Sequence, residues 1–165
     1  MLVGIISDTH DAMLETRSAI RFFKNKKVGA IMHAGDFTSQ ALVKEFLDSG
    51  IPFFGVMGNN DPRKMGPMDI SRGTIKDPPY YLILGSRSVL LIHDEKTIDL
   101  EKESGIVDLI VCGNTHKSRI EKKNRALIVN PGEGCGLLNG RPTVALLDLD
   151  TMKAEIIELE DVYNP

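Results

Sequence analysis

Three apolar runs near the amino terminus, Leu2–Ile6, Val28–His33 and Ile51–Met57, read as strands buried on both faces of a sheet, because neither alternating set of positions is polar. The segments between them have helical spacing. From about Ala12 to Asn25 the residues Met13, Ala19, Ile20 and Phe23 recur on one face, and Glu15, Arg17, Arg21 and Lys24 are left for the wet side. Thr38 or Ser39 can cap a second helix that runs to about Asp48 and stops at Ser49-Gly50. This strand, helix, strand, helix, strand order demands right-handed crossovers and parallel pairing.

The pattern then changes. Residues 62–79 are rich in Pro, Gly and Met and read as a loop with some short helix, while Tyr80–Leu84 and Val89–His93 read as a hairpin around Gly85-Ser86-Arg87. Thr97–Glu103 is a short helix by its spacing. Leu109–Cys112, Ala126–Asn130, Thr143–Leu149 and Ala154–Leu159 are further strands, the last two joined by an Asp150-Thr151 turn. The expected class is α/β: two packed mixed β-sheets with helices outside, a four-layer αββα sandwich. At 165 residues, the chain is sized for a single domain over 1–165.

Polar residues of the kind that hold ligands close strand after strand. Ser7-Asp8-Thr9-His10 follows the first, His33-Ala34-Gly35-Asp36 ends the second and Gly58-Asn59-Asn60-Asp61 follows the third. Further on, His93-Asp94 follows VLLI and Gly113-Asn114-Thr115-His116 follows DLIVC. In open α/β sheets, sites form beyond the carboxyl ends of the strands, so these groups can converge. Asp, His and Asn without thiolate make an oxygen and nitrogen donor set, suited to Mn, Fe, Ni, Co or Zn rather than to Ca or Cu(I). A carboxylate can bridge two cations, and paired cations suit phosphoester hydrolysis.

Other classes have little support. With 20 basic against 23 acidic residues, a net charge of -3 and 5% aromatics, nothing attracts nucleic acid by bulk charge or offers a stacking platform. No run approaches a membrane span. Cys112 and Cys135 form no CxxC pair, so a reducing, cytoplasmic setting is expected. The run Gly132–Gly136, GEGCG, is followed by an Asn139-Gly140 turn and a strand, not by a helix that could receive a phosphate, and reads as a loop. Cys135 within it lacks the marks of a nucleophile. Lys26-Lys27 and Lys122-Lys123 read as solvated faces.

Taken in order, DTH at 8–10, GD at 35–36, GNND at 58–61, His93 and GNTH at 113–116 resemble the calcineurin-like metallophosphoesterase superfamily, whose pattern runs DxH, GD, GNH(E/D), H, GHxH. Size and Asn130-Pro131-Gly132 resemble its small single-domain phosphodiesterase branch, to which a retromer scaffold subunit is also similar. The resemblance implies that Asp8, His10 and His116 bind one metal, that Asp36 bridges, and that Asn59, His93 and Asn114 face the second. Two divalent transition-metal ions are implied, with Mn or Ni leading and Fe, Co or Zn open. Asp61 would support these groups from behind, and Asn60 would stand at the phosphate. His33 lies inside its strand and reads as structural.

The resemblance implies a phosphodiesterase acting on a small phosphoester through a metal-bridging hydroxide. This chain departs from the pattern where Asn60 and Asn114 replace histidines, and where Asp11 and Asp94 stand at positions often held by glycine. An amide cannot transfer a proton, and its oxygen is a weaker ligand than imidazole. The alternative reading is therefore a catalytically weak protein-interaction scaffold on the same fold; a nucleotide-binding module rests on GEGCG alone. No membrane partner is expected, and nothing in the composition excludes a homo-oligomer.

Overall fold

Parallel pairing organises the first half of the chain. Strands β1 (Leu2–Ile6), β2 (Ala30–His33) and β3 (Phe53–Val56) lie side by side, with Val3 opposite Ala30 and Ile31 opposite Phe53. In this computed structural model, which describes residues 1–64 and 66–159, they form the centre of a six-stranded sheet. Residues 160–165 of the expected domain, and Met65, lie outside the described residues. The sheet is completed by β4 (Ile75–Lys76) on one side and by the antiparallel strands β10 (Thr143–Asp148) and β11 (Lys153–Glu158) on the other.

A second sheet has the order β5 (Tyr80–Leu84), β6 (Arg87–Leu91), β7 (Leu109–Val111), β9 (Ala126–Asn130), β8 (Arg119–Lys123). Its central strands β6, β7 and β9 are parallel, and antiparallel partners β5 and β8 close the edges. The inner faces meet in one core, where Val3, Ile5 and Met32 pack with Leu91, Val111 and Val129. Helices α1 (Met13–Asn25) and α2 (Gln40–Asp48) cover the first sheet through Phe23, Leu42 and Phe46. On the opposite side, α4 (Leu100–Ile106) lies over the second sheet, with Leu100 and Ile98 against the cluster of Leu90, Ile92, Ile110 and Ile128. The four-layer αββα order follows from these three cores.

Ser39 caps α2 by accepting from the Leu42 N–H, as its sequence position suggests. Several boundaries differ from the sequence reading. The hairpin pairs Leu84 with Arg87, so the turn is Gly85-Ser86 and β6 begins at Arg87. The expected helix at Thr97–Glu103 is a 3₁₀ turn at Glu95–Thr97 followed by α4, since Asp94 and Asp99 each cap a separate start. Two strands were not anticipated. β8, RIEKK, is an edge strand whose charges mask any alternation, and two-residue β4 gains its form from pairing with β3. A very short helix, α3 (Pro67–Ile70), lies in the Pro- and Gly-rich loop.

Asp108, at the start of β7, ties three strands of the second sheet. Its Oδ2 accepts from Ser88 N–H at 2.9 Å and Ser88 Oγ at 2.8 Å, and its Oδ1 accepts from Arg125 at 2.7 Å. These donors, Arg125 first, hold its carboxyl well below the usual carboxylate range. A carboxyl depressed on folding adds stability that is complete above its unfolded pKa, near 4, and is lost as pH falls through the folded value. Asp108→Asn is expected to cost about 1–3 kcal/mol at neutral pH. The gap between parent and variant melting temperatures should close on acidification below about pH 4; a gap independent of pH would mean that the carboxylate charge is not what ties the strands.

Candidate metal centre

Both sheets end at one place. The loops after β1, β2 and β3 of the first sheet and after β6, β7 and β9 of the second lie at carboxyl ends of parallel strands, which brings together side chains far apart in sequence. Adjacent loops are laced by backbone bonds: Asp8 N–H to the Gly35 carbonyl, His10 N–H to that of Asp36 and Gly113 N–H to that of His93. The lacing forces unusual backbone. Asp8, His10, Asp11, Asp36, Thr38, Asn114 and His116 all have positive φ, between 42° and 74°, a region that L-residues adopt only under constraint. Such clustering marks a site held in shape by its surroundings.

Asp8 is fully buried, and its Oδ1 lies 3.5 Å from His116 Nε2 and 4.0 Å from His10 Nε2. The rings of His10 and His116 stack at 5.3 Å between centroids. Asp36 is also buried; its Oδ2 lies 3.6 Å from His10 Nε2 and 3.4 Å from His93 Nε2, so one carboxylate reaches toward both halves of the cluster. Two triads result, Asp8–His10–His116 and Asp8–Asp36–His93, each with its donor atoms within 4.8 Å. Asn59 Oδ1 joins the second, 2.9 Å from His93 Nε2. Asn114 donates its backbone N–H to Asp8 Oδ2 at 3.1 Å and lines a cavity together with Asn59 and His93.

The other expected residues sit around this set. Asp61 accepts backbone N–H groups from Asp36, Thr38 and Gly58 at 3.0, 2.7 and 2.7 Å, and so pins two loops together. Asn60 donates to Asp36 twice, from its backbone at 2.9 Å and from its amide at 2.7 Å. Gly58 must lack a side chain, since a Cβ there would stand 2.1 Å from Asp36 Oδ1. His33 is buried outside the triads: Nδ1 accepts from Gly35 N–H at 3.1 Å, so Nε2 carries the proton toward Thr9 Oγ1 at 3.0 Å. Burial keeps it neutral.

The electrostatics fit a cation. Burial raises the Asp8 carboxyl above its ordinary range. For Asp36 burial acts the same way, but the His93 bond and charge and the Asn60 donors outweigh it, and the group is held well below the usual carboxylate range. His93 is correspondingly raised, Asp36 prevailing over burial. Its Nδ1 faces the Ala34 carbonyl at 2.6 Å, which leaves Nε2 as the atom aimed into the cluster. Asp8 Oδ1 and His10 Nε2 are buried without any hydrogen-bond partner. Two orphaned donors facing each other across a carboxylate-rich pocket are what a divalent ion satisfies.

One residue escaped the sequence reading. Glu133, in the loop read as mere connection, is 1% exposed, and its Oε2 lies 2.8 Å from His116 Nδ1. Leu138 N–H, at 2.9 Å, and Asn139 N–H also donate to it, and the same loop docks on the Asp8 segment through Gly134 N–H to the Ser7 carbonyl and Cys135 N–H to the Asp8 carbonyl. Burial opposes ionisation, yet the bond to His116 and the two backbone donors hold its carboxyl below the ordinary value. Glu133 follows a strand end as the other site residues do, so the same rule applied to Ala126–Asn130 would have found it.

Buried carboxylates and imidazoles gathered at the strand ends of an αββα sandwich make a candidate metal centre. Over residues 1–152 the chain matches the calcineurin-like phosphoesterase superfamily domain, and it belongs to that superfamily. Its class is thus that of metal-dependent phosphoester hydrolases. A phosphodiesterase of Methanocaldococcus jannaschii is 32% identical over an alignment of 166 positions that covers 97% of this chain and 100% of the relative. The solved structure of an archaeal phosphodiesterase superposes with a TM-score of 0.86 at 32% identity, covering 96% of this chain and 100% of that one. Vps29 of Entamoeba histolytica, solved with zinc, shares the fold with a TM-score of 0.69 at 17% identity, covering 97% and 100%.

Proposed function

We propose that this chain is a dinuclear metal-dependent phosphodiesterase acting on a small phosphoester. The observation that carries the reading is the pair of triads sharing Asp8, with Asp36 reaching His10 on one side and His93 on the other. Asp8, His10 and His116 would hold one cation; His93, Asn59 and Asn114 would face the second, with Asp36 between. The donor set suits Mn or Ni, and Fe, Co or Zn would also fit it. When bound, such ions neutralise phosphoryl oxygens and lower the pKa of water enough to supply a hydroxide at neutral pH.

The chain's own groups prepare the site for that chemistry. Asp61 holds the Asp36 backbone N–H, Asn60 fixes the Asp36 carboxylate, Ala34 orients His93, and Glu133 orients His116. Fixed donors need no reorganisation as charge develops on the phosphate. The buried free thiols of Cys112 and Cys135, the latter pushed up to about 11, support a reducing, cytoplasmic setting. Among the described residues no helix is long and apolar enough to cross a membrane.

Elemental analysis of the purified protein, run beside hydrolysis of aryl phosphodiesters and monoesters with and without added Mn or Ni, tests the reading. About two equivalents of metal and diester turnover that follows metal content are expected. Protein that binds metal but turns over neither ester would leave the scaffold reading, which the likeness in fold to Vps29 keeps in view.

Glu133→Gln supplies a sharper check on the first triad. A carboxylate behind a ligating histidine fixes its tautomer and raises its basicity, and losing such a partner typically costs about 10–100-fold in metal affinity. Calorimetric titration with Mn should register that loss. Unchanged affinity would mean that His116 does not depend on Glu133.

A further inference from the structure

The candidate centre is flanked by two cavities that differ in charge. The first, about 400 Å³, is walled by Asn59, His93 and Asn114 with the apolar Met57 and Pro78, and its charged side chains, Arg63 and Asp94, are of opposite sign. The second, about 250 Å³, is lined by His116, Lys117, Ser118, Asn139, Arg141 and Thr143. It carries two full cations and no carboxylate, in a chain whose net charge is -3. His116 belongs both to this cavity and to the Asp8–His10–His116 triad, so an occupant would lie one side chain away from the metal centre.

The two cations come from separate segments that the fold joins. Lys117 follows His116, and Arg141 ends the loop that carries Glu133. Asn139 Nδ2 donates to the His116 carbonyl at 2.8 Å and holds these walls together. Glu133 does not compete for the cations, because its oxygens are occupied by His116 and by the Leu138 and Asn139 N–H groups. Arg141 pairs with Glu158, but both side chains are exposed, at 73% and 41%, and such pairs yield readily to a better anion.

We propose that the Lys117–Arg141 cavity is an anion subsite, and that the preferred substrate is a phosphodiester with a second phosphate on one ester arm. The proposal rests on the phosphodiesterase reading. A diester held at the centre has two arms and finds a cavity on either side, one partly apolar and balanced in charge, the other cationic. A guanidinium offers a planar fork and an ammonium a point charge, both matched to phosphate oxygens. Ser118, Asn139 and Thr143 add neutral donors on the same wall.

Two p-nitrophenyl esters of thymidine 5′-phosphate, one with a free 3′-hydroxyl and one with a 3′-phosphate, differ only in the second anion. With Mn-loaded protein at low salt, kcat/KM is expected to favour the 3′-phosphate on the order of 10-fold, the scale of one charge-assisted contact. The ratio should shrink as salt rises from about 0.05 to 0.5 M, since both cations are exposed to screening. In K117A/R141A the ratio should approach one; taking it within each protein cancels any general loss of activity. A native ratio of one or less overturns the proposal, and a ratio kept in the double variant overturns the assignment to these two residues. Calorimetric binding of thymidine 3′,5′-bisphosphate against thymidine 5′-phosphate reads the subsite without turnover. Tighter binding of the bisphosphate, lost in the double variant, is expected, and equal binding sinks the subsite. Should neither ester be hydrolysed while the bisphosphate still binds more tightly, the phosphodiesterase reading fails and the subsite stands.

Discussion

Asp36→Ala is expected to abolish turnover and to remove binding of a second cation. Its Oδ2 lies 3.6 Å from His10 Nε2 and 3.4 Å from His93 Nε2, so it is the carboxylate placed to neutralise charge between the two halves of the centre. Without it, two cations at close range would repel with little compensation in a buried pocket. Removing one electrostatic donor from an active site typically costs about 10²–10³-fold, and a bridging carboxylate should cost at least the upper end of that range. Elemental analysis beside diester hydrolysis measures both effects. Asp36→Asn keeps the shape and most of the contacts, so it separates loss of charge from loss of packing. If either variant keeps most of its metal-stimulated rate, Asp36 is not the bridge.

The second large effect concerns the proton of the leaving group. Asn60 stands where many family members carry a histidine, and its amide donates to Asp36 at 2.7 Å and cannot protonate a departing alkoxide. Catalysis must then lean on cation charge, and esters whose leaving groups depart as stable anions should run far faster than alkyl esters. Asn60→His restores an acid worth about 10²–10⁴-fold for poor leaving groups and much less for good ones. It also withdraws one donor from Asp36, so a modest loss of metal affinity should accompany the gain. A plot of log rate against leaving-group pKa should be steep in the parent and flatter in the variant. Parallel lines would put Asn60 outside the proton path.

Much of this centre is legible as text because its residues follow local rules. Polar ligand types closing apolar runs, as in DTH after LVGII and GNND after PFFGVM, need only strand ends and turn chemistry to be noticed. Continuous apolar runs and helical spacing likewise suffice for β1 to β3, α1 and α2, whose signals come from their own residues. Where form depends on a neighbour, the text falls silent. β8 is a strand because β9 lends it hydrogen bonds, and nothing in RIEKK says so.

The site divides in the same way. Polar residues at five strand ends marked where a site would lie, because parallel strands deliver their ends to a common edge, and the family resemblance singled out Asp8, His10, Asp36, Asn59, His93, Asn114 and His116 among them. Which of them meet, and through which atoms, is a matter of distances between two sheets packed face to face. That packing put Asp36 between His10 and His93, turned Asn60 onto Asp36, and brought Glu133 behind His116 across 17 residues of chain. It also gathered Lys117 and Arg141 around one cavity. The sequence alone determined the donor inventory, because donor chemistry belongs to single side chains; the tertiary structure decided the pairings, because a contact belongs to two segments and to the sheet geometry that sets them side by side.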